Sequence, residues 1–283
     1  MEWFIYSISS MLLFSGMTGL YKLPTYKNQS RLATTFWMMG FIFLWAIMIF
    51  NKLAFSVNPE ILFFALLWGC SFATLTAIQI YLLSRIEINT LFPINTILSM
   101  IFVVAFGLLV FAEKISILQG LGISIAIVTL YFFLFSSRGA KYSRGTLKFG
   151  LVMIFLSVFS KVVQKIAVDH VIDIKILIIY QFLFASLFLL LANIMYHRKS
   201  WAKKIFSRSY KSGLMISIPA FFGNWAIMHA LAKGPFTLVY SIHSFYIFGG
   251  SIIGYFFFKE KLTKYKISLL FLAILAIIFI RIG

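Results

Sequence analysis

The chain has seven carboxylates, Glu2, Glu60, Glu87, Glu113, Asp169, Asp173 and Glu260, and each falls at or near the end of an apolar stretch. None stands mid-stretch, so the usual buried acid that binds a cationic drug in exchange for protons is missing. Paired acids that could hold magnesium in a membrane-embedded enzyme are missing too. Neither a Ser-His-Asp arrangement nor a phosphate-cradling glycine loop is visible. No catalytic residue, metal ligand or cofactor is expected, and the chain does not read as an enzyme. The polar side chains inside the apolar stretches are instead neutral or basic. Ser157, Lys161, Gln164 and Lys165 recur at i, i+4, i+7 and i+8, which places them on one helical face. A charged lysine in hydrocarbon costs roughly 3 kcal/mol or more and faces a wet cavity or a partner. A face of that kind attracts phosphate or carboxylate. The alternative is that both lysines snorkel to the nearer interface, with Asp169 one turn beyond Lys165 as its partner.

A second group comprises Asn224, Trp225 and His229, followed by Tyr240, His243 and Ser244. Trp225 and His229 are four apart, as are Tyr240 and Ser244, and His243 lies beside the latter pair. Two histidines in adjacent stretches can take up a proton near neutral pH and couple it to movement of a ligand. Trp68, Ser71 and Gln79, with Asn95 and Ser99, supply an opposite wall. For each of these residues the competing reading is a hydrogen bond between helices.

These side chains need elements to hold them, and the composition says which kind. The chain of 283 residues is 62% hydrophobic and only 11% charged, too little charge to coat a soluble surface. Stretches long enough to cross a bilayer as helices run near 3–21, 32–50, 60–83, 90–111, 117–136, 147–168, 174–196, 213–232, 235–258 and 266–282. That makes ten, or nine if the serine-bearing first stretch is not counted. The opening Met1-Glu2-Trp3-Phe4 lacks the basic region of a signal peptide, so the first stretch reads as retained. The longest connection, His197 to Lys211, is basic and is expected to be a surface loop. A net charge of +18 in a soluble protein would suggest nucleic acid. Here Lys and Arg sit mainly in short connections, which argues for lipid head groups and against nucleic acid.

The sequence also repeats itself. Thr90-Leu91 leads through an apolar span to Glu113-Lys114-Ile115-Ser116, and Thr237-Leu238 leads likewise to Glu260-Lys261-Leu262-Thr263, offset by 147 throughout. At an offset of 143, Lys22-Leu23 pairs with Lys165-Ile166, each closing the first span of its half. Residues 1–137 then form one five-helix repeat, 138–146 a basic linker and 147–283 the second repeat. Five is odd, so the second copy enters the membrane from the opposite side, an inverted repeat of the kind that supports alternating access. Glu113, Lys114, Glu260 and Lys261 read as structural, each glutamate binding its neighbouring lysine and capping the next helix, with a gating role for the glutamates as the alternative. Gly250 and Gly254 form a GxxxG suited to close helix contact inside the fold.

Ten spans in two fives, with Glu-Lys-hydrophobe-Ser/Thr closing the fourth and ninth and a lysine ending the first and sixth, resemble the drug/metabolite transporter superfamily. The resemblance covers nearly the whole chain. It implies an all-α membrane protein with a central cavity between the halves and the fifth and tenth helices at the periphery. It also implies substrates drawn from amino acids, other metabolites, cationic drugs, nucleotide-sugars and sugar phosphates. Pro93 lies in the fourth span as the pattern leads one to expect, whereas its repeat partner is Tyr240 and the ninth span has Pro235 at its start.

The first expectation is a secondary transporter of a small polar metabolite, anionic or zwitterionic, working by alternating access. An exporter of hydrophobic or aromatic compounds is the nearest alternative, and a lipid flippase or membrane-embedded enzyme the alternative of another class. Expected partners are the small-molecule substrate, membrane lipid and protons as coupling ion, in a monomer or homodimer of a bacterial-type inner (plasma) membrane. Connections after the odd-numbered spans, counted with the first turn of the span that follows, carry 18 of the 25 Lys and Arg, so the positive-inside rule places both termini outside the cytoplasm. The resemblance implies the reverse, since many members of the superfamily keep both termini inside. On the charge bias, alkaline phosphatase fused after Gly283 is active and a fluorescent protein fused there is dark; the opposite pattern would overturn the assignment.

Overall fold

The computed structural model describes residues 2–50, 58–135, 144–170, 173–206, 208–259 and 264–283. Among them every regular element is helical. In chain order these are α1 (Glu2–Leu20), the short α2 (Leu23–Tyr26), α3 (Arg31–Phe50), α4 (Pro59–Leu82), α5 (Ile88–Leu109), α6 (Ile117–Phe135), α7 (Arg144–His170), α8 (Ile174–His197), the short α9 (Trp201–Ile205), α10 (Ser209–Lys233), α11 (Phe236–His243), α12 (Tyr246–Phe258) and α13 (Lys264–Ile282). Helix is the expected solution in hydrocarbon, because it satisfies every backbone donor and acceptor within one segment. Local sequence sets several starts. Asn58 accepts the Glu60 N–H at 3.0 Å ahead of Pro59, and Asp173 accepts the Lys175 N–H at 2.9 Å, both helix-capping arrangements.

Eight helical segments are long and apolar enough to cross a membrane, α11 and α12 counting together as one. Two shorter apolar runs, Ile117–Phe133 in α6 and Ile267–Ile282 in α13, stand where a fifth and a tenth span were expected. The protein is thus an all-helical, multi-span membrane protein.

Three segments differ from expectation. The basic connection from His197 to Lys211 is no open loop: α9 sits within it, and the Trp37 indole N–H donates to the Ile205 carbonyl at 2.7 Å. Residues Arg144 to Thr146, expected in the linker, form the first turn of α7. The ninth stretch is one run in sequence but two helices in space, broken at Ser244 and Phe245. No glycine or proline marks that break. Ser241 and Ser244 each donate to the carbonyl four residues back, at 2.7 Å, a competition with the helix ladder that bends helices.

The packing follows the repeat. Helix α1 lies along α10 as α7 lies along α4, and α4 lies along α8 as α10 lies along α3. Helices α3 and α8 pair with each other, as do α6 and α13. For these pairs, advancing each helix by five long apolar stretches exchanges one contact for another. The α6–α13 pair is peripheral, with Leu121, Tyr131, Phe271 and Ile274 among its exposed side chains. Gly250 faces Thr18 of α1, so the GxxxG serves a contact inside the fold.

Glycines set two of these approaches. A Cβ on Gly69 would lie 2.5 Å from the Gln181 carbonyl oxygen, and one on Gly213 would lie 2.6 Å from Trp37 Cβ and 2.9 Å from Met38 N. A side chain at Gly213 must push backbone apart, which overpacking data place at about 1–3 kcal/mol. At Gly40 a Cβ would meet nothing within 4 Å. Gly213→Val is therefore expected to lower the melting temperature in detergent by several degrees while Gly40→Ala does not, and equal melting of the two variants would contradict the packing.

Candidate functional site

A cavity opens among α1, α4, α5, α7, α10, α11 and α12, with walls from both halves of the chain. On α7 the spacing of Ser157, Ser160, Lys161 and Gln164 turns one face toward it, and on α4 Trp68, Phe72, Leu75 and Gln79 do the same. Asn95, Asn224, Tyr240, His243 and Tyr246 complete the polar lining, and Phe14, Met17 and Thr18 come from α1. Lys161 Nζ donates to Ser99 Oγ at 2.9 Å and stands 5.2 Å from the centroid of the Tyr240 ring, a cation–π arrangement. The Tyr240 hydroxyl donates to Gln164 Oε1, whose amide nitrogen contacts Met228 Sδ at 3.2 Å. Ser10 Oγ lies 3.1 Å from His243 Nδ1, and Phe14 meets that ring edge-on at 4.6 Å. Asn95 Nδ2 donates to Ser157 Oγ at 3.4 Å. Among the described lining residues Lys161 is the one lysine or arginine, and no carboxylate accompanies it.

Of the residues expected at a site, Trp68, Gln79, Asn95, Lys161, Gln164, Asn224, Tyr240 and His243 line this cavity. The others are placed elsewhere. Lys165 pairs with Asp169 at 2.8 Å and donates to the Leu231 carbonyl at 3.1 Å, a cation on the last turn of α10 as helix ends favour. Trp225 and His229 lie about 100° and 140° around α10 from Asn224 at 100° per residue. His229 Nδ1 is 2.9 Å from the Trp225 carbonyl and its ring packs on Tyr6. The two histidines therefore do not share the cavity, which corrects the pairing expected from sequence. Ser71 donates to the Trp68 carbonyl at 3.0 Å, and Ser244 serves the helix break.

Sequence reasoning missed the contribution of α1. Phe14, Met17 and Thr18 recur at i, i+3 and i+4, a spacing that was there to be found but that an apolar first span also shows for packing alone. Tyr246 was missed because it lies beyond an unforeseen break, and it reaches Thr96 Oγ1 at 3.2 Å.

Glu113 also departs from expectation. It was expected to bind Lys114 and cap the next helix. Lys114 is exposed, and the Glu113 carboxylate accepts the N–H of Phe236 through Oε1 and that of Thr237 through Oε2 at 2.9 Å. The helix it caps is α11, in the other half of the chain. Glu260 and Lys261 lie outside the described residues. The repeat does persist in the backbone just before them: Ala112 and Lys259, offset by 147, both adopt left-handed φ, 49° and 57°.

Comparison with known proteins places the chain. Residues 145–282 match the family model described as EamA-like transporter family. Over those residues the chain is similar to the EamA-like transporter family. The family falls within the drug/metabolite transporter superfamily, as the repeat motifs had implied. EamA-like proteins are integral membrane transporters of small molecules, and the protein is one in that general sense. A solved structure described as "Crystal structure of protein" superposes with a TM-score of 0.74 at 11% identity, covering 99% of this chain and 98% of that one. At that identity the likeness speaks for the fold. No curated protein matches the chain in sequence.

The Tyr240–Gln164 bond joins α11 to α7 within the second half of the chain, and breaking one side of it leaves a buried acceptor unpaired. Tyr240→Phe is expected to cost about 1–2 kcal/mol of stability. Adding Gln164→Leu should recover part of that loss, since removing both partners is the milder change. Strictly additive losses in thermal unfolding would count against the bond.

Proposed function

We propose that the protein carries a small anionic or zwitterionic metabolite across the membrane by alternating access, with the ligand held in the cavity between the two halves. The observation that carries this reading is Lys161, a cationic side chain on the cavity wall with no carboxylate among the described lining residues to neutralise it. A cation in a low-dielectric site stays long-ranged and favours an anion over a neutral or cationic ligand. Ser99 occupies one of its three donors, leaving the rest for a ligand oxygen. Gln79, Asn95 and Asn224 add neutral donors and acceptors around it, the kind of lining that fixes orientation without adding charge.

Alternating access rests on the repeat. The main contacts between the halves come in pairs related by five spans, α1–α10 with α4–α7 and α4–α8 with α3–α10, and an odd number of spans per repeat reverses the second copy in the membrane. Residues 1–137 and 147–283 would then be the moving halves. On this reading the two short apolar helices, in α6 and α13, cross the bilayer as the fifth and tenth spans. His243, beside Lys161 in the cavity, is the group we assign to proton coupling.

An aromatic wall supports a second reading. Phe14, Trp68, Phe72 and Tyr246 share the cavity, which suits the apolar part of a metabolite and equally an exported aromatic compound. Thermal shifts separate the two: stabilisation by lipophilic cations without stabilisation by carboxylates favours the exporter. For the main reading, Lys161→Met keeps a long apolar stem and removes the charge. Uptake of anionic substrates into proteoliposomes should fall by about tenfold or more, the worth of one charge-assisted hydrogen bond. Unchanged uptake of every anionic and zwitterionic compound tested would remove the site.

A further inference from the structure

Helix α11 begins without local help. Its N-cap residue, Pro235, makes no side-chain cap, yet the helix is buried along its whole length. Buried first-turn N–H groups need acceptors, and those of Phe236 and Thr237 find them in Glu113 of the opposite half. A carboxylate there also meets the positive end of the helix dipole.

The surroundings are built around that contact. The chain turns back after α5 through the left-handed Ala112, and the Glu113 N–H returns to the Gly107 carbonyl at 3.0 Å. Left-handed backbone costs a residue with a Cβ about 1–2 kcal/mol and tends to persist where function holds it. Gly107 leaves the room: a Cβ there would run into Thr237 Oγ1 and stand 2.9 Å from Glu113 Oε2. Phe111 packs on Phe236 with ring centroids 5.1 Å apart.

What Glu113 grips is the helix that furnishes the cavity. Tyr240 and His243 follow Thr237 by three and six residues, so they lie about 4–9 Å further along α11 at 1.5 Å per residue. The break at Ser244 and Phe245 separates α11 from α12, which gives α11 a pivot at its far end. We propose that Glu113 is a gating residue: its hold on Phe236 and Thr237 keeps the cavity shut at the end where α5 finishes and α11 begins, and its release frees α11 to swing when that end opens. The inference rests on the alternating-access reading above, though not on the identity of the substrate.

The test reads opening directly. In a Cys70→Ser background, Ser160→Cys places one thiol in the cavity. Its reaction with a membrane-impermeant methanethiosulfonate bearing a trimethylammonium group is timed from each face of oriented vesicles. Glu113→Ala should speed labelling from the face where α11 begins by about tenfold, the equilibrium worth of one charge-assisted hydrogen bond. Labelling from the other face should not rise, and Glu113→Gln, which keeps one acceptor oxygen, should fall between. A role in stability alone would lower the melting temperature and leave both rates alone or raise them together, and that outcome overturns the proposal. In a second variant, Phe111→Cys with Phe236→Cys, oxidation should abolish labelling from that face, and reduction followed by removal of reductant should restore it. Labelling at the uncrosslinked rate while the bridge is intact also overturns it. Because labelling needs no substrate, failure here is distinct from a failure to transport anions.

Discussion

A backbone immersed in hydrocarbon must satisfy its own polar groups, and the rest of the structure depends on that constraint. It makes every long element a helix and confines exceptions to places that protein covers. The clearest exception is the break between α11 and α12, where the hydroxyls of Ser241 and Ser244 donate to the Thr237 and Tyr240 carbonyls. Another is the start of α11, where a carboxylate from a distant part of the chain supplies the acceptors that a lone helix end lacks. Both lie in the segment with the greatest cover: 83% of the apolar window of Phe236–Phe258 is buried, against 39% in Arg31–Phe50. Irregular backbone and burial go together here for a physical reason, and the cavity is lined where they coincide.

The distribution of charge follows from the same solvent. Cations gather in the connections, where head groups and water receive them, and the few inside have assigned partners. Lys165 satisfies the end of α10 and pairs with Asp169. Lys161 has one serine hydroxyl and the face of an aromatic ring. The contrast between two lysines four residues apart on one helix is what supports the ligand role proposed for Lys161.

The spans were legible in the sequence because their signal is local. An apolar run of sufficient length specifies a helix whatever lies around it, and most boundaries fall within three residues of those expected. The face of α7 was legible for the same reason, as one helix orders its own side chains. The misplacements arise where a second element decides. Trp225 and His229 form a stripe of the right spacing, but the orientation of α10 is set by its packing against α1 and α3, which turns Asn224 to the cavity in their stead. His243 finds Ser10 across 233 positions of chain, and Glu113 finds Thr237 across 124. No pattern within either segment announces such meetings. The repeat offered a partial substitute, since Ala112 and Lys259 share their left-handed turn and the Glu-Lys motif that follows each of them is itself repeated.

The peripheral pair has a consequence for how the molecule can change shape. Helices α6 and α13 present much of their surface outward, with Phe271 70% exposed. A lipid-facing helix has no neighbour to receive a carbonyl released by bending, so it must remain straight and intact. On the alternating-access reading proposed above, deformation is left to the sheltered segments they flank: the two outer helices would serve as a stiff brace, and the working parts would bend only where other protein, not lipid, looks on.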